Sequence, residues 1–185
     1  MLHLVIGNQG SGKTLFLVKK ALEYARQGIT IYSNINFKGI RFKRLKYKDI
    51  IECKLSKGVV FLDEIHLLIN SRNSISKNSR EICTKFLSQV RKQGLEIWAS
   101  SQKPRKVDIN FREETDILYS CQKFALINNV WSHVTHNQNL SKKVPIMIDI
   151  EVTEMYSGKM IKYNFIGNEY FKMYDTSQII QIEGI

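Results

Sequence analysis

Proline is scarce in this chain, with only Pro104 and Pro145 present, and no internal repeat or low-complexity tract accompanies them. A repetitive or linker-dominated architecture is therefore excluded. Cysteine is sparse too. Cys53, Cys83 and Cys121 are odd in number, widely separated and without CxxC or Cys/His spacing, which excludes a disulfide framework and a zinc site. Reduced thiols in an intracellular setting are the simpler account. No apolar run approaches the roughly 20 residues of a membrane span, and Met1 to Ile6 leads directly into a strand rather than a signal peptide. A soluble, non-exported protein is expected. Acidic residues are also in short supply: 17 Asp+Glu face 28 Lys+Arg, a formal net charge of +11 with a pI near 9.6. Such a balance suits an anionic partner such as nucleic acid, although a merely Lys-rich surface gives the same total.

What is present reads as one ordinary globular domain. The 185 residues suffice for one buried core, and 43% hydrophobic with 24% charged residues excludes a disordered or fibrous class. Leu2 to Ile6 is a short apolar run, followed by Gly7-Asn8-Gln9-Gly10-Ser11-Gly12 and then by Leu15, Val18, Leu22 and Ala25 at helical spacing, closed by Gly28. Ile29 to Ile35 is β-rich. The stretch 36–57 holds eight Lys/Arg against Asp49 and Glu52, a surplus of six positive charges that localises more than half of the net charge. Val59 to Leu62 is continuously apolar, as expected of a strand buried on both faces. A polar loop over 70–79, a helix over 80–93 with Ile82, Phe86, Leu87 and Val90 on one face, and a strand over 95–99 follow. Helix and strand alternating in this way predict βαβ crossovers and a mostly parallel sheet. Beyond Gln102 the runs 117–127, 144–152 and 160–166 predict antiparallel strands added at the edge of the core, the last two joined by a hairpin at Tyr156-Ser157-Gly158-Lys159. The expected organisation is a single domain over 1–185, with a core of about 1–127 and a β-rich extension of about 128–185.

The chemistry lies in three places. Gly7-Asn8-Gln9-Gly10-Ser11-Gly12-Lys13-Thr14 matches GxxxxGK(S/T) in full, between a predicted strand and a predicted helix. Glycine lets the backbone N–H groups close on phosphate, the helix start adds its dipole, Lys13 would neutralise the β- and γ-phosphates, and the Thr14 hydroxyl would ligate Mg²⁺. Asp63, ending the apolar strand, would hold the same magnesium through water or Thr14, and Glu64 beside it would polarise a water for in-line attack on the γ-phosphate. A helix-start acid is the plainer role for Glu64. Ser100-Ser101-Gln102 end the next strand. If that strand lies between the other two, the Gln102 amide reaches the γ-phosphate or the attacking water; otherwise these residues simply leave the sheet as a loop. Arg91 is the first candidate for an arginine reaching a neighbouring subunit's nucleotide, ahead of Arg80 and Arg112, for each of which a solvated face or a DNA phosphate contact competes. His66 has no partner at metal spacing and reads as structural. Tyr163, Phe165, Tyr170, Phe171 and Tyr174 read as packing rather than base-stacking residues. Arg41, Lys43, Arg44 and Lys46, with Phe42 and Tyr47 among them, could track a phosphate backbone or form a solvated loop.

With GNQGSGKT, IYSNI after the first helix, VVFLDEIH, VRKQGLEIWASSQ followed by VDINFREETD, and more weakly FKMYDTSQII on the page, the chain resembles the additional-strand P-loop ATPases. Within them it is similar to the FtsK/HerA group of DNA pumps, most of all to the compact genome-packaging ATPases of membrane-containing viruses, including archaeal ones, and also to Zot-type ATPases of filamentous phages. The resemblance implies an α/β, three-layer P-loop NTPase of RecA/additional-strand type with a mostly parallel sheet and added antiparallel strands. It places the Gln102 strand beside the P-loop strand. It further implies ATP and Mg²⁺ as cofactors, a homo-oligomeric ring of five or six subunits, double-stranded DNA in the channel, and a capsid or membrane protein of a virion as docking partner, in host cytoplasm or virion. Set against that resemblance, a chain without the amino-terminal domain of the larger pumps and without the transmembrane segment of Zot proteins is expected, the latter counting against a membrane-bound phage-extrusion role. An ATP-driven double-stranded DNA translocase that packages a viral genome is the expectation. An assembly or secretion motor moving protein or single-stranded DNA, and a DNA-binding module switched by nucleotide, are the alternatives.

Overall fold

The computed structural model describes residues 1–45, 49, 52, 55, 57–68, 86–88, 90, 92–103, 105, 107, 109–135 and 144–174. Arg80, Arg91, Lys46, Tyr47, Cys53, Cys83, the 70–79 segment and the residues after Tyr174 lie outside them.

Nine described strands form one sheet: β1 (Leu2–Ile6), β2 (Ile31–Ser33), β3 (Lys43–Arg44), β4 (Val59–Leu62), β5 (Glu96–Ser101), β6 (Ile117–Ile127), β7 (Val130–His133), β8 (Ile146–Glu154) and β9 (Met160–Ile166), in the order β3-β2-β4-β5-β1-β6-β8-β9, with β7 paired to β6. The pairs from β3 through β6 are parallel, and β7, β8 and β9 add antiparallel. Among the described residues the helices are α1 (Lys13–Arg26), α2 (Ile65–Leu68) and α3 (Ile109–Glu113), with further helical residues at 49, 86–88, 90 and 92 and a 3₁₀ turn at Asn168–Met173.

Strand alternation divides the core into two layers. Val59 and Phe61 of β4 join a cluster built around α1, whereas Val60 and Leu62 join a second cluster with Ile65, Phe86, Leu87, Val90 and Phe111. That is why the apolar run in β4 is unbroken: both of its faces are covered. The sheet curls about α1, so that Phe16, fully buried, meets Trp98 at 5.9 Å on one side and Phe165 at 6.2 Å on the other. Burying a side chain of that size contributes about 2–3 kcal/mol.

One expectation needs correction. The 117–127 run is not antiparallel to the core but pairs in parallel with β1, because α3 carries the chain back to the start of the sheet, where the Asp116 N–H meets Leu2 O at 2.9 Å. Only the strands after it reverse direction. The 156–159 hairpin joins β8 to β9 as expected, while the short strands β3 and β7 and the short helix α3 were not anticipated.

Candidate active site at the carboxyl end of the parallel strands

The loop between β1 and α1 turns back on itself through three glycines with positive φ: Gly7 at 151°, Gly10 at 74° and Gly12 at 95°. Two of them are required by the protein itself as well as by any phosphate. A Cβ on Gly7 would lie 2.7 Å from the Cys121 carbonyl oxygen, and one on Gly12 would lie 2.4 Å from Ile148 Cδ1. The Lys13 side chain folds back over the loop, its ammonium donating to Gly7 O and Asn8 O at 3.0 Å each. Burial holds that ammonium below the usual lysine range, against the opposing pull of Glu64 and Asp63. The Ser11 hydroxyl is buried inside the loop without a hydrogen-bond partner. A buried cation and an unpartnered hydroxyl on a glycine turn at the start of a helix form a cradle for a phosphate chain.

The two acids stand opposite this cradle. Asn34, just past β2, clamps the Asp63 backbone from both sides: it accepts from Asp63 N–H at 2.8 Å and donates to Asp63 O at 2.9 Å. The Asp63 carboxylate receives the Thr14 hydroxyl at 2.8 Å on Oδ2 and the Ser100 hydroxyl on Oδ1. The glycine loop and the paired acids therefore converge, as the proposed chemistry requires. A carboxylate and a hydroxyl already in contact are the hard oxygen donors that suit magnesium, which takes its remaining ligands from phosphate and water. Thr14 and Asp63 fit that ion.

Glu64 adopts φ +53° directly before the helix that begins at Ile65, and its carbonyl accepts from the Leu67 N–H at 2.8 Å, so it stands at the helix start as well as beside Asp63. Strand β5 lies between β1 and β4, pairing with both, which delivers Gln102 to the gap between loop and acids. The Gln102 side-chain amide donates to Glu64 Oε1, and its backbone N–H approaches Oε2 at 3.4 Å. Ser100 and Ser101 remain within β5 and fully buried rather than leaving as a loop. His66 is satisfied as expected, its Nδ1 lying 3.1 Å from Glu64 Oε2 and 3.3 Å from Ser101 Oγ.

Other candidates fall elsewhere. Arg112 sits on α3, at the end of the sheet where β1 begins, with its Nε buried and unpartnered; Arg91 and Arg80 lie outside the described residues. Arg41, Lys43 and Arg44 are exposed on or beside the edge strand β3. Arg44 is partly committed to structure, donating to Asn34 O at 3.1 Å and to Asn36 Oδ1, and Lys43 lies over the Tyr32 ring at 5.4 Å. Phe42 packs edge-on against Phe37 at 5.4 Å, so it is core rather than a stacking platform. Asn34, Ile148 and a role for Ser100 at Asp63 escaped the sequence reading. The one available signal was a polar residue directly after a β-rich apolar run. Tyr174 packs against the core around α1 as expected, and burial, with Asp63 nearby, pushes its hydroxyl up to about 12.

Among the described residues no helix is long and apolar enough to cross a membrane. No curated protein sequence matches the chain. Among solved structures, the N-terminal domain of zonular occludens toxin from Neisseria meningitidis is similar with a TM-score of 0.58 at 16% identity, covering 94% of this chain and 98% of that one. The genome-packaging NTPase B204 of Sulfolobus turreted icosahedral virus 2 in complex with ATP-gammaS is similar with a TM-score of 0.58 at 10% identity, covering 88% and 95%. The flagellar accessory protein FlaH of Methanocaldococcus jannaschii shares the fold at a TM-score of 0.50 and 10% identity, covering 89% and 88%. Residues 3–122, which span the glycine loop, the paired acids and Gln102, match the ATPase family associated with various cellular activities (AAA), and the chain belongs to that family of P-loop ATPases.

Proposed function

We propose that this ATPase is a magnesium-dependent motor that translocates double-stranded DNA, packaging a viral genome. The observation that carries the hydrolytic half is the Gln102–Glu64 contact just past the ends of the neighbouring strands β5 and β4, which in this reading couples a sensor of the γ-phosphate to the acid that activates water. In this reading Gly7 to Thr14 bind the phosphates, with Lys13 neutralising charge, and Thr14 and Asp63 hold the magnesium. That ion supplies electrostatic stabilisation of the transferring phosphoryl group. Glu64, released from Gln102, orients the attacking water. With the amide engaged as here, the carboxylate is held away from that task, so Gln102 links nucleotide state to hydrolysis. An arginine from a neighbouring subunit, Arg91 foremost, completes each site of a five- or six-membered ring.

The DNA half is supported by the positive charge on the β3 edge, at Arg41 and Lys43, and by likeness in fold to a genome-packaging NTPase. A virion capsid or membrane protein is the expected docking partner, with the motor working in host cytoplasm or virion. The test is ATP turnover with and without duplex DNA across a salt series. Stimulation that declines steeply with salt supports the reading, because phosphate contacts release counterions. Turnover with no DNA binding at the lowest salt removes the DNA half.

A second reading, an assembly or secretion motor moving protein or single-stranded DNA, is favoured by the likeness to the zonular occludens toxin domain over nearly the full length of both chains. Neutralising Arg41 and Lys43 together separates the two. Lost duplex affinity with intact basal turnover supports packaging, and unchanged affinity supports the alternative.

A further inference from the structure

The end of the described chain returns to the nucleotide site. Beyond β9 the backbone is fastened at Gly167, whose N–H donates to Ile146 O at 2.8 Å, and at Asn168, whose side chain accepts from Ile146 N–H at 2.6 Å and donates to Val144 O at 2.9 Å. The 3₁₀ turn then crosses α1, and its far end joins the loop after β2. There the Lys38 N–H donates to Met173 O at 2.6 Å, and Phe37 and Tyr174 form an antiparallel bridge. Residues 167–174 are thus a strap tied at both ends.

The loop that receives the strap is the one that holds Asp63. Asn34, three residues before Phe37, makes both hydrogen bonds to the Asp63 backbone, and Arg44 braces the loop by donating to Asn34 O and Asn36 Oδ1. Phe37 itself packs edge-on against Phe61 of β4 at 6.0 Å, two residues before Asp63. A shift of the strap's end would move Phe37, and with it the Asn34 clamp.

We propose that the 167–174 strap is a positioning element of the nucleotide site. Tyr174 anchors the 34–38 loop so that the Asp63 carboxylate stays against Thr14 in magnesium-binding position. This rests on the assignment of Thr14 and Asp63 as the magnesium pair. Tyr174 acts through the loop and is a positioning residue. Partners that orient a metal ligand are worth about 10–100-fold in metal affinity, which sets the scale of the effect.

The experiment compares Tyr174→Ala, Tyr174→Phe and the wild-type full chain for binding of a fluorescent ATP analogue, first in EDTA and then over a magnesium titration. In EDTA the glycine loop alone binds nucleotide, so Tyr174→Ala should match wild type within about twofold. The magnesium concentration for half-maximal tightening should rise about tenfold in Tyr174→Ala, and Tyr174→Phe, which keeps the ring packed on the core cluster that holds Ile35 and Phe37, should restore it. If Tyr174→Ala does not yield folded protein, Asn168→Ala loosens the strap at its other tie and carries the same expectation. An unchanged magnesium titration overturns the proposal, as does an equal loss of affinity with and without the metal. Thr14→Ala is the control. If it shifts the magnesium titration while the strap variants do not, only the strap proposal fails; if it does not shift it either, the magnesium assignment fails and the strap proposal with it.

Discussion

Replacing Gly12 by alanine tests whether the added antiparallel strands form the floor of the nucleotide loop. Gly12 has φ +95°, where an L-residue costs about 1–2 kcal/mol. The new Cβ would also lie 2.4 Å from Ile148 Cδ1, with Cγ1 at 3.1 Å and Cγ2 at 3.2 Å. Ile148 is fully buried, so the overlap is not relieved by moving its side chain into solvent and overpacking adds about 1–3 kcal/mol. Gly12→Ala should therefore cost about 3 kcal/mol in the nucleotide-free protein, lowering the melting midpoint by about 6–12 °C for a chain of this length. Ile148→Val removes the offending Cδ1 and should cost about 1 kcal/mol alone. In the double variant the backbone penalty persists while the worst overlap is gone, so the combined loss should fall short of the sum by about 1–2 kcal/mol. Denaturant unfolding of the four proteins measures this coupling. Additivity within about 0.5 kcal/mol would refute the claim that β8 supports the glycine loop.

Glu64→Gln should retain nucleotide affinity while turnover falls about 10²–10⁴-fold, the usual contribution of a general base; turnover within about threefold of wild type would remove Glu64 from that role. Burial pushes the Cys121 thiol up to about 12, outweighing the nearby Lys13. Peptide mapping after alkylation at pH 8 should thus find Cys121 unlabelled in the native protein and labelled in denaturant. His3, buried beneath α1, donates from Nε2 to Glu96 Oε1 at 2.7 Å and accepts at Nδ1 from the Tyr119 hydroxyl at 3.0 Å, a pairing that the neutral ring satisfies. Desolvation lowers its pKa against the pull of Glu96, so the unfolded chain takes up the proton first. Stability should consequently fall as pH drops through the ordinary histidine value of 6.5, reaching the full penalty below the folded pKa. Melting curves from pH 8 downward should decline less steeply in this window for His3→Gln than for wild type.

The glycine loop and the paired acids were legible because each is local. A full P-loop spacing between strand and helix, and four apolar residues ending in Asp63-Glu64, need no knowledge of what lies opposite. Asn34 was not legible, because its clamp on Asp63 exists only through the parallel pairing of β2 with β4, which sets Ser33 opposite Phe61. The same holds for Gln102, whose reach depended on a strand order that residues 95–102 do not encode. Strand β7 did leave a local trace. Asn128 and Asn129 both have positive φ, at 50° and 62°, and form the two-residue hairpin between β6 and β7 for which asparagine is well suited. Helix α3, five residues long, is too short to show a helical period, and without it the direction of β6 could not be deduced.

The division of the chain into a core ending near residue 127 and an extension beyond it describes strand direction, but energetics argue against independence. Ile146, Ile148, Ile150 and Val152 of β8 are buried to between 0% and 6% exposure in the layer that packs on α1. At about 1.5–3 kcal/mol for each fully buried side chain, these four contribute about 6–12 kcal/mol. A whole domain commonly has a net stability of only about 5–15 kcal/mol. Cutting after Ile127 would also strip Tyr163 and Phe165 from Phe16 and leave Gly12 without Ile148 beneath it. A fragment 1–127 retains every motif that names the ATPase family, yet it should neither unfold cooperatively nor bind an ATP analogue, because the surface on which α1 and the glycine loop rest is gone. Near-ultraviolet circular dichroism and nucleotide titration of that fragment decide the matter. A cooperative unfolding transition together with retained binding would mean that the parallel strands alone build the site, and that the last strands were added to a domain already complete.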